Sequence, residues 1–196
     1  TLADENQVER FLQEARAASY LEHPSIVTVL AHGVEEGVPF IAYDLVEGDS
    51  LRQQIDRGPL AIPRAVLLAE QVASALGCAH AAGIIHRDVK PENILCRGES
   101  RALLTDFGVA RWIGGRVKTQ TGVILGTPFY MPLEVLKGDP PTPAADVYAA
   151  GVLLFEMLTG RLPIEGTSPL DILRHLVKDV PPSLSSRLPG APPALD

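Results

Sequence analysis

The chain has 196 residues, of which 46% are hydrophobic and 21% charged, and a net charge of −7. That length and balance suit one globular domain with a real core, and with the acidic sign nothing points to a surface built for nucleic acid. Thr1–Arg16 is polar and charged and does not read as a signal peptide, while the longest apolar stretch, Val147–Leu158, is interrupted by Glu156 and is too short to cross a bilayer.

Asp4 and Gln7 have the spacing of a capping box. Val8, Phe11, Leu12, Ala15, Ala18 and Ser19 then recur along one helical face. Glu14 lies beside that stripe, and on composition alone it is a solvated helix charge. His23-Pro24 ends the helix. Ile26–Ala31 and Val38–Leu45 are strand-like and join through Glu35-Glu36-Gly37 as a hairpin. Ser50–Arg57 is a short helix closed by Gly58-Pro59. Ile62–Ala82 is a long buried helix with Val66, Leu67, Ala69, Val72, Ala73, Leu76 and either Ala79 or His80 inward, ended by Gly83. His80 reads there as a satisfied core histidine. Cys78 and Cys96 have apolar neighbours and no ligand spacing, so they read as buried small hydrophobes in a reducing compartment.

The centre of the chain is Ile84–Gly108. Two apolar runs, Ile94–Cys96 and Arg101–Thr105, flank the turn-like Arg97-Gly98-Glu99-Ser100 and predict a short hairpin. His86, Arg87, Asp88, Lys90 and Asn93 precede it; Asp106, Phe107 and Gly108 follow it. Folding the chain back brings Asp88, Asn93 and Asp106 to one small volume. Oxygen ligands gathered this way suit a hard cation such as Mg²⁺, which takes one or two protein groups together with substrate phosphates. The plainer reading is a solvated turn carrying charges. Beyond the centre, Asp146 opens the buried helix Val147–Leu158. Ser168–Val177 is amphipathic, capped by Ser168 with Pro169 in its first turn. From Pro181 onward prolines and serines dominate, as in a loop or linker.

H-R-D-x-x-x-x-N followed by D-F-G resembles the catalytic core of eukaryotic-like (Hanks-type) serine/threonine protein kinases of bacterial type. Lys90, two positions after Asp88, fits the Ser/Thr class, and Gly126-Thr127-Pro128-Phe129-Tyr130-Met131 continues the likeness. Pro132-Leu133-Glu134 stands where the family has A-P-E, keeping the acid and shifting the proline. The resemblance implies an α+β, bilobal fold. Residues 1–46 are a truncated small lobe (helix plus β-hairpin) and hinge, 47–180 a mostly helical large lobe, and 181–196 a Pro-rich tail. It implies ATP and Mg²⁺ as cofactors and a protein Ser/Thr hydroxyl as substrate, including self-phosphorylation in trans. Within it Asp88 orients the hydroxyl, Lys90 sits on the transferred phosphate, and Asn93 and Asp106 hold the metal. Gly108 lets the backbone turn after Asp106, and His86 packs beneath Phe107. Glu14 pairs with a strand lysine that grips ATP phosphates. Asp44 and Val46 offer hinge backbone to adenine, Tyr43 stands at the back of the pocket, Leu95 forms its floor, and Asp49 or Ser50 touches the ribose. Arg87 receives a phosphate on Thr119 or Thr121, Thr127 touches Asp88 and Lys90, and Asp146 ties down the catalytic-loop backbone.

Two family parts are absent from the sequence: a Gly-rich loop and a strand lysine upstream of Glu14. The chain therefore reads as the interior of a kinase domain, cytoplasmic and without a membrane segment, whose isolated turnover is weak or absent. The alternatives are a pseudokinase or inactive interaction module, and a small-molecule kinase of related fold. The long segment between Asp106 and the G-T-P-x-Y element speaks against the latter.

Overall fold

The computed structural model describes residues 5–107, 128–166, 169–178 and 180–195. The fold is α+β, with two small antiparallel sheets set against a mostly helical body.

Helix α1 (Glu5–Ser19) buries Phe11, Ala15 and Ala18, the stripe its periodicity predicts. Strands β1 (Val29–Glu35) and β2 (Val38–Tyr43) form a two-stranded sheet. Their turn is Glu36-Gly37, both at positive φ (50° and 78°), the backbone that closes a two-residue hairpin in the hand of the strand twist. The first strand begins later than its apolar run predicts. Ser25–Val27 make their backbone bonds elsewhere: Val27 N–H donates to Leu104 O, and Leu104 N–H to Ser25 O, both at 2.9 Å.

Strand β3 (Asp49–Ser50) leads into α2 (Leu51–Ile55), where Ser50 and Gln53 form a reciprocal capping box. Helix α3 (Ile62–Ala81) supports the hairpin of β4 (Ile94–Arg97) and β5 (Arg101–Leu104), which with β3 makes a three-stranded sheet in the order β3-β4-β5. The hairpin falls where its flanking apolar runs predict. The face of α3 is rotated from expectation. Ala65, Leu68, Val72, Ala75, Leu76 and Ala79 are buried, whereas Val66, Leu67 and Ala73 point outward. Alanines at the inner positions let neighbouring elements approach closely, so the largest apolar residues do not mark the buried stripe.

Helix α4 (Leu133–Leu136) and helix α5 (Pro143–Thr159) follow. Helix α5 starts on proline and ends on Gly160 in the left-handed conformation (φ 68°). It is the central strut: Ala149, Val152, Leu153, Met157 and Leu158 join Leu68, Val72, Ala75 and Ala79 of α3 in one core with Ile94 and Leu104. Helix α6 (Pro169–Lys178) and the short α7 (Leu184–Arg187) complete the order, with Leu184 of the proline-rich tail buried in that core. Ser168 and Asp4, the expected helix caps, lie outside the described residues. Among the described residues no helix is long and apolar enough to cross a membrane.

Candidate active site

The loop between α3 and β4 carries the polar cluster, and one buried ring shapes it. His86 is fully buried. Its Nε2 donates to the Thr105 carbonyl at 2.8 Å and its Nδ1 accepts the Asp88 N–H at 3.2 Å. One nitrogen donating and the other accepting defines the neutral ring, and burial holds its pKa below the usual histidine value. The ring also meets Phe107, centroids 4.6 Å apart and planes tilted by 59°, the packing the resemblance implies.

Asp88 is gripped from the following turn. Asn93 Nδ2 donates to the Asp88 carbonyl at 2.8 Å and to its Oδ2 at 2.9 Å, and Lys90 Nζ lies 2.7 Å from the same Oδ2. Asn93 thus spends its amide nitrogen on Asp88, which leaves the amide oxygen as its acceptor end. The hairpin register sets Ile94 opposite Leu104, and Thr105 N–H donates to Asn93 O at 3.0 Å. Asp106 therefore emerges beside Asn93. Burial pushes the Asp106 carboxyl above the usual carboxylate range, with the Tyr43 hydroxyl pulling the other way. Burial likewise raises Tyr43, at the end of β2, and the Asp106 charge adds to the shift.

Arg87 and Asp106 both have left-handed backbones, at φ 70° and 65°. Each costs about 1–2 kcal/mol for a non-glycine residue, and such positions concentrate at functional sites. The restraint on Arg87 is Asp146, 1% exposed, whose Oδ1 accepts the Arg87 N–H and whose Oδ2 accepts the His86 N–H, each at 2.8 Å. The expected tie on the loop backbone is thus present.

Glu14, whose expected lysine partner is not in this sequence, reaches the catalytic loop. Its Oε1 is 2.8 Å from Arg87 Nη1, so two residues that the resemblance assigns to different partners meet each other. Asp44 gives its own N–H to Thr28 O at 2.9 Å, and Val46 follows in an irregular connection. Leu95 is half-buried on β4 between Ser50 of β3 and Leu103 of β5. Asp49 is held by Arg57 at 2.6 Å. Pro132 becomes the residue before α4, with Glu134 exposed in its first turn. Gly108, Thr119, Thr121 and Thr127 lie outside the described residues.

A second polar group is not evident from the sequence. Glu156 of α5 is buried, accepts a hydrogen bond from the Tyr130 hydroxyl, and pairs with Arg52 Nη1 of α2 at 2.6 Å. The readable signal is the acid itself, an unexplained charge inside an apolar helix that needs a paired partner.

Among the described residues no group of three His, Cys, Asp or Glu side chains could hold a metal ion. A cation here would depend on Asn93 and Asp106 with oxygens from its ligand. This all-oxygen set, short of a full protein cage, fits Mg²⁺ carried on phosphates.

The family described as "Protein kinase domain" matches residues 1–187. The chain is 40% identical over 194 residues to the serine/threonine-protein kinase PknL of Mycobacterium tuberculosis, covering 98% of this chain and 49% of that protein. It is 40% identical over 182 residues to the serine/threonine-protein kinase PrkC of Bacillus subtilis, covering 91% and 28%. It is 41% identical over 203 residues to the serine/threonine-protein kinase PkaB of Streptomyces coelicolor, covering 98% and 48%. The chain thus spans half or less of the length of these curated relatives. In structure it is similar to a crystallised point mutant of the PknI kinase domain of Mycobacterium tuberculosis, with a TM-score of 0.72 and 28% identity over 95% of this chain and 66% of that one. These curated relatives are bacterial serine/threonine-protein kinases, and, matched along nearly its whole length by sequence and by fold, the chain belongs to the protein kinase family.

Proposed function

We propose that this chain carries the catalytic and metal-holding half of an ATP-dependent protein serine/threonine kinase. The observation that supports it best is the junction of Asp88, Asn93 and Lys90, bonded within 2.9 Å at the mouth of the β4–β5 hairpin beside Asp106. Phosphoryl transfer asks the protein for alignment and charge neutralisation more than covalent chemistry. Asp88 takes the hydrogen bond of the substrate hydroxyl and accepts its proton late. Lys90 lies against Asp88 and supplies a positive charge for the transferred phosphoryl. Asn93 Oδ1 and Asp106 hold Mg²⁺, which when bound neutralises the nucleotide phosphates. Asp44 and Val46 present backbone to adenine between Tyr43 and Leu95. Thr119 and Thr121 are proposed sites of self-phosphorylation that engage Arg87, with Thr127 beside Asp88 in the substrate groove. Residues 1–46 and 47–180 act as the two lobes, with 181–196 as a tail.

The test uses the product of the complete reading frame with Mg-ATP and a generic protein substrate. Asp88→Asn should lower turnover by about 10²-fold or more with nucleotide affinity retained; near-intact activity would remove Asp88 from this role. Mass spectrometry of the active protein finding neither Thr119 nor Thr121 modified would count against the switch.

The pairing of Glu14 with Arg87 favours a second reading for the 196 residues alone, a module that binds without turning over. Incubation with Mg-ATP and a generic protein substrate separates the two: no product from the 196 residues where the product of the complete reading frame turns over supports the module, and product formation supports the enzyme.

A further inference from the structure

The turn of the β4–β5 hairpin borders an open cleft of about 510 Å³, whose other wall is the connection from α2 to α3, Arg57 to Leu60. That volume lies within the roughly 300–1,000 Å³ of ligand-binding pockets. Each strand of the hairpin is four residues long, about 13 Å, and Asp88, Asn93 and Asp106 gather at its opposite end. The cleft is therefore separate from the candidate active site.

Arg64 of α3 is fixed in this cleft by neutral acceptors. Its Nε donates to the Glu99 carbonyl at 2.9 Å and its Nη2 to Gln54 Oε1 at 2.6 Å, and Nη1 has no partner among the described residues. The Glu99 carboxylate lies 3.0 Å from Arg64 Nε, but its side chain is 85% exposed. It is a displaceable counterion, and the arginine keeps its place without it. Arg57, on the other wall, is likewise held by a surface ion pair, with Asp49. Gly58 and Gly98 have positive φ, and a Cβ built on either would meet open space. The walls therefore bare their backbone at two points, where an extended chain can lie close. Arg97 and Arg101 stand opposite each other on the strands flanking the turn. Both are exposed, and neither has an acidic partner among the described residues. Like charges facing across a hairpin oppose its pairing, so this pair does nothing for the fold. In a chain of net charge −7, four arginines thus surround a cleft whose acidic lining is Asp49 and Glu99.

We propose that this cleft is a docking site for an acidic, extended peptide segment of a partner protein. Carboxylates of the segment replace Glu99 on Arg64 and Asp49 on Arg57, and Arg97 and Arg101 draw it in. A flat anionic surface such as a membrane would meet the exposed arginines but not Arg64, whose side chain is 23% exposed within the cleft. The assignment goes beyond the kinase reading, and its test uses neither ATP nor turnover.

The test is the anisotropy of a fluorescein-labelled hexaglutamate peptide titrated with the 196-residue chain. Saturable binding below about 1 mM that weakens as salt rises is expected. Arg64→Gln should weaken it about tenfold and Arg57→Gln about threefold. Glu99→Gln, which removes the competing carboxylate, should strengthen it about threefold; a merely structural Arg64 would give no such gain. Amide NMR shifts on adding the peptide should fall at residues 57–60 and 97–100 and spare Asp88 and Asn93. Absence of binding, parent-like affinity in both arginine variants, or shifts centred on Asp88 would overturn the proposal. Should Arg64→Gln fail to fold, Arg57→Gln and Glu99→Gln decide, since both alter exposed side chains. Vesicles of phosphatidylserine and phosphatidylcholine form the second arm. Binding them more tightly than the peptide, with Arg64→Gln without effect, would assign the arginines to a membrane and equally overturn the docking site.

Discussion

Asp88 is a small side chain with many restraints: its amide is fixed by a histidine ring, its carbonyl by Asn93, and its carboxylate by Asn93 and Lys90. The histidine must remain neutral for the first of these to exist, because the Asp88 N–H needs the lone pair on Nδ1. The folded-state pKa of His86 lies below its ordinary value, so in acid the unfolded chain takes up the proton that the folded chain refuses. Stability therefore falls as pH drops below about 6.5 and is insensitive to this group above it. Urea midpoints at about pH 7.5 and about pH 5.5 should show the lower value in acid. A His86→Phe variant should be less stable at both but lose this part of the slope; an unchanged slope would refute it. Residue identities here are legible because the motif fixes their order. Their bonds are not. Glu14 and Arg87 lie 73 positions apart, and Arg52 and Glu156 lie 104 apart, and nothing in the local sequence pairs them.

At the scale of elements, the β3–β4–β5 sheet depends on a close backbone approach. Gly48 has φ +145°, and a Cβ there would lie 2.0 Å from the Cys96 carbonyl oxygen. Gly48→Ala must push β3 away from β4, and a loss of about 2 kcal/mol or more is expected in denaturant unfolding. Ser50→Ala, which removes the α2 cap, should cost about 1 kcal/mol by the same measurement. The hairpin and the long helices are readable because apolar runs and turn residues act locally. The orientation of α3 is not, because its packing rests on alanines whose burial is set by α5 and β5, elements distant in sequence. The start of β1 differs from expectation for a related reason. Ile26 and Val27 are apolar and pair as a strand would, but their partner is Leu104 and not β2.

Across the whole molecule, α2, α5 and the turn that holds Tyr130 are joined by Arg52, Glu156 and Tyr130. Removing the arginine strands a buried carboxylate. Arg52→Met should destabilise the chain by about 2 kcal/mol, below the roughly 3–5 kcal/mol of a fully buried pair because the arginine is partly exposed. An equal loss from Arg57→Met, whose partner Asp49 is at the surface, would show that the buried carboxylate is not the cause. The small sheet is the weak part of the fold. Two strands are marginal by themselves, and Leu30, Val34, Val38 and Phe40 are all exposed on them. For that reason the 196 residues alone should bind Mg-ATP weakly, and calorimetric titration giving tight binding would contradict the expectation.

The crossing of Ile26 over Leu104 has a mechanical result. The chain passes between its two halves at residues 44–48 and is also stitched across at residues 25–27, which leaves the helix-and-hairpin half attached along a line instead of at a point. A single point of attachment permits rotation about every axis, whereas two permit it about one alone, so these backbone bonds narrow the relative movement open to α1 and the β1–β2 hairpin.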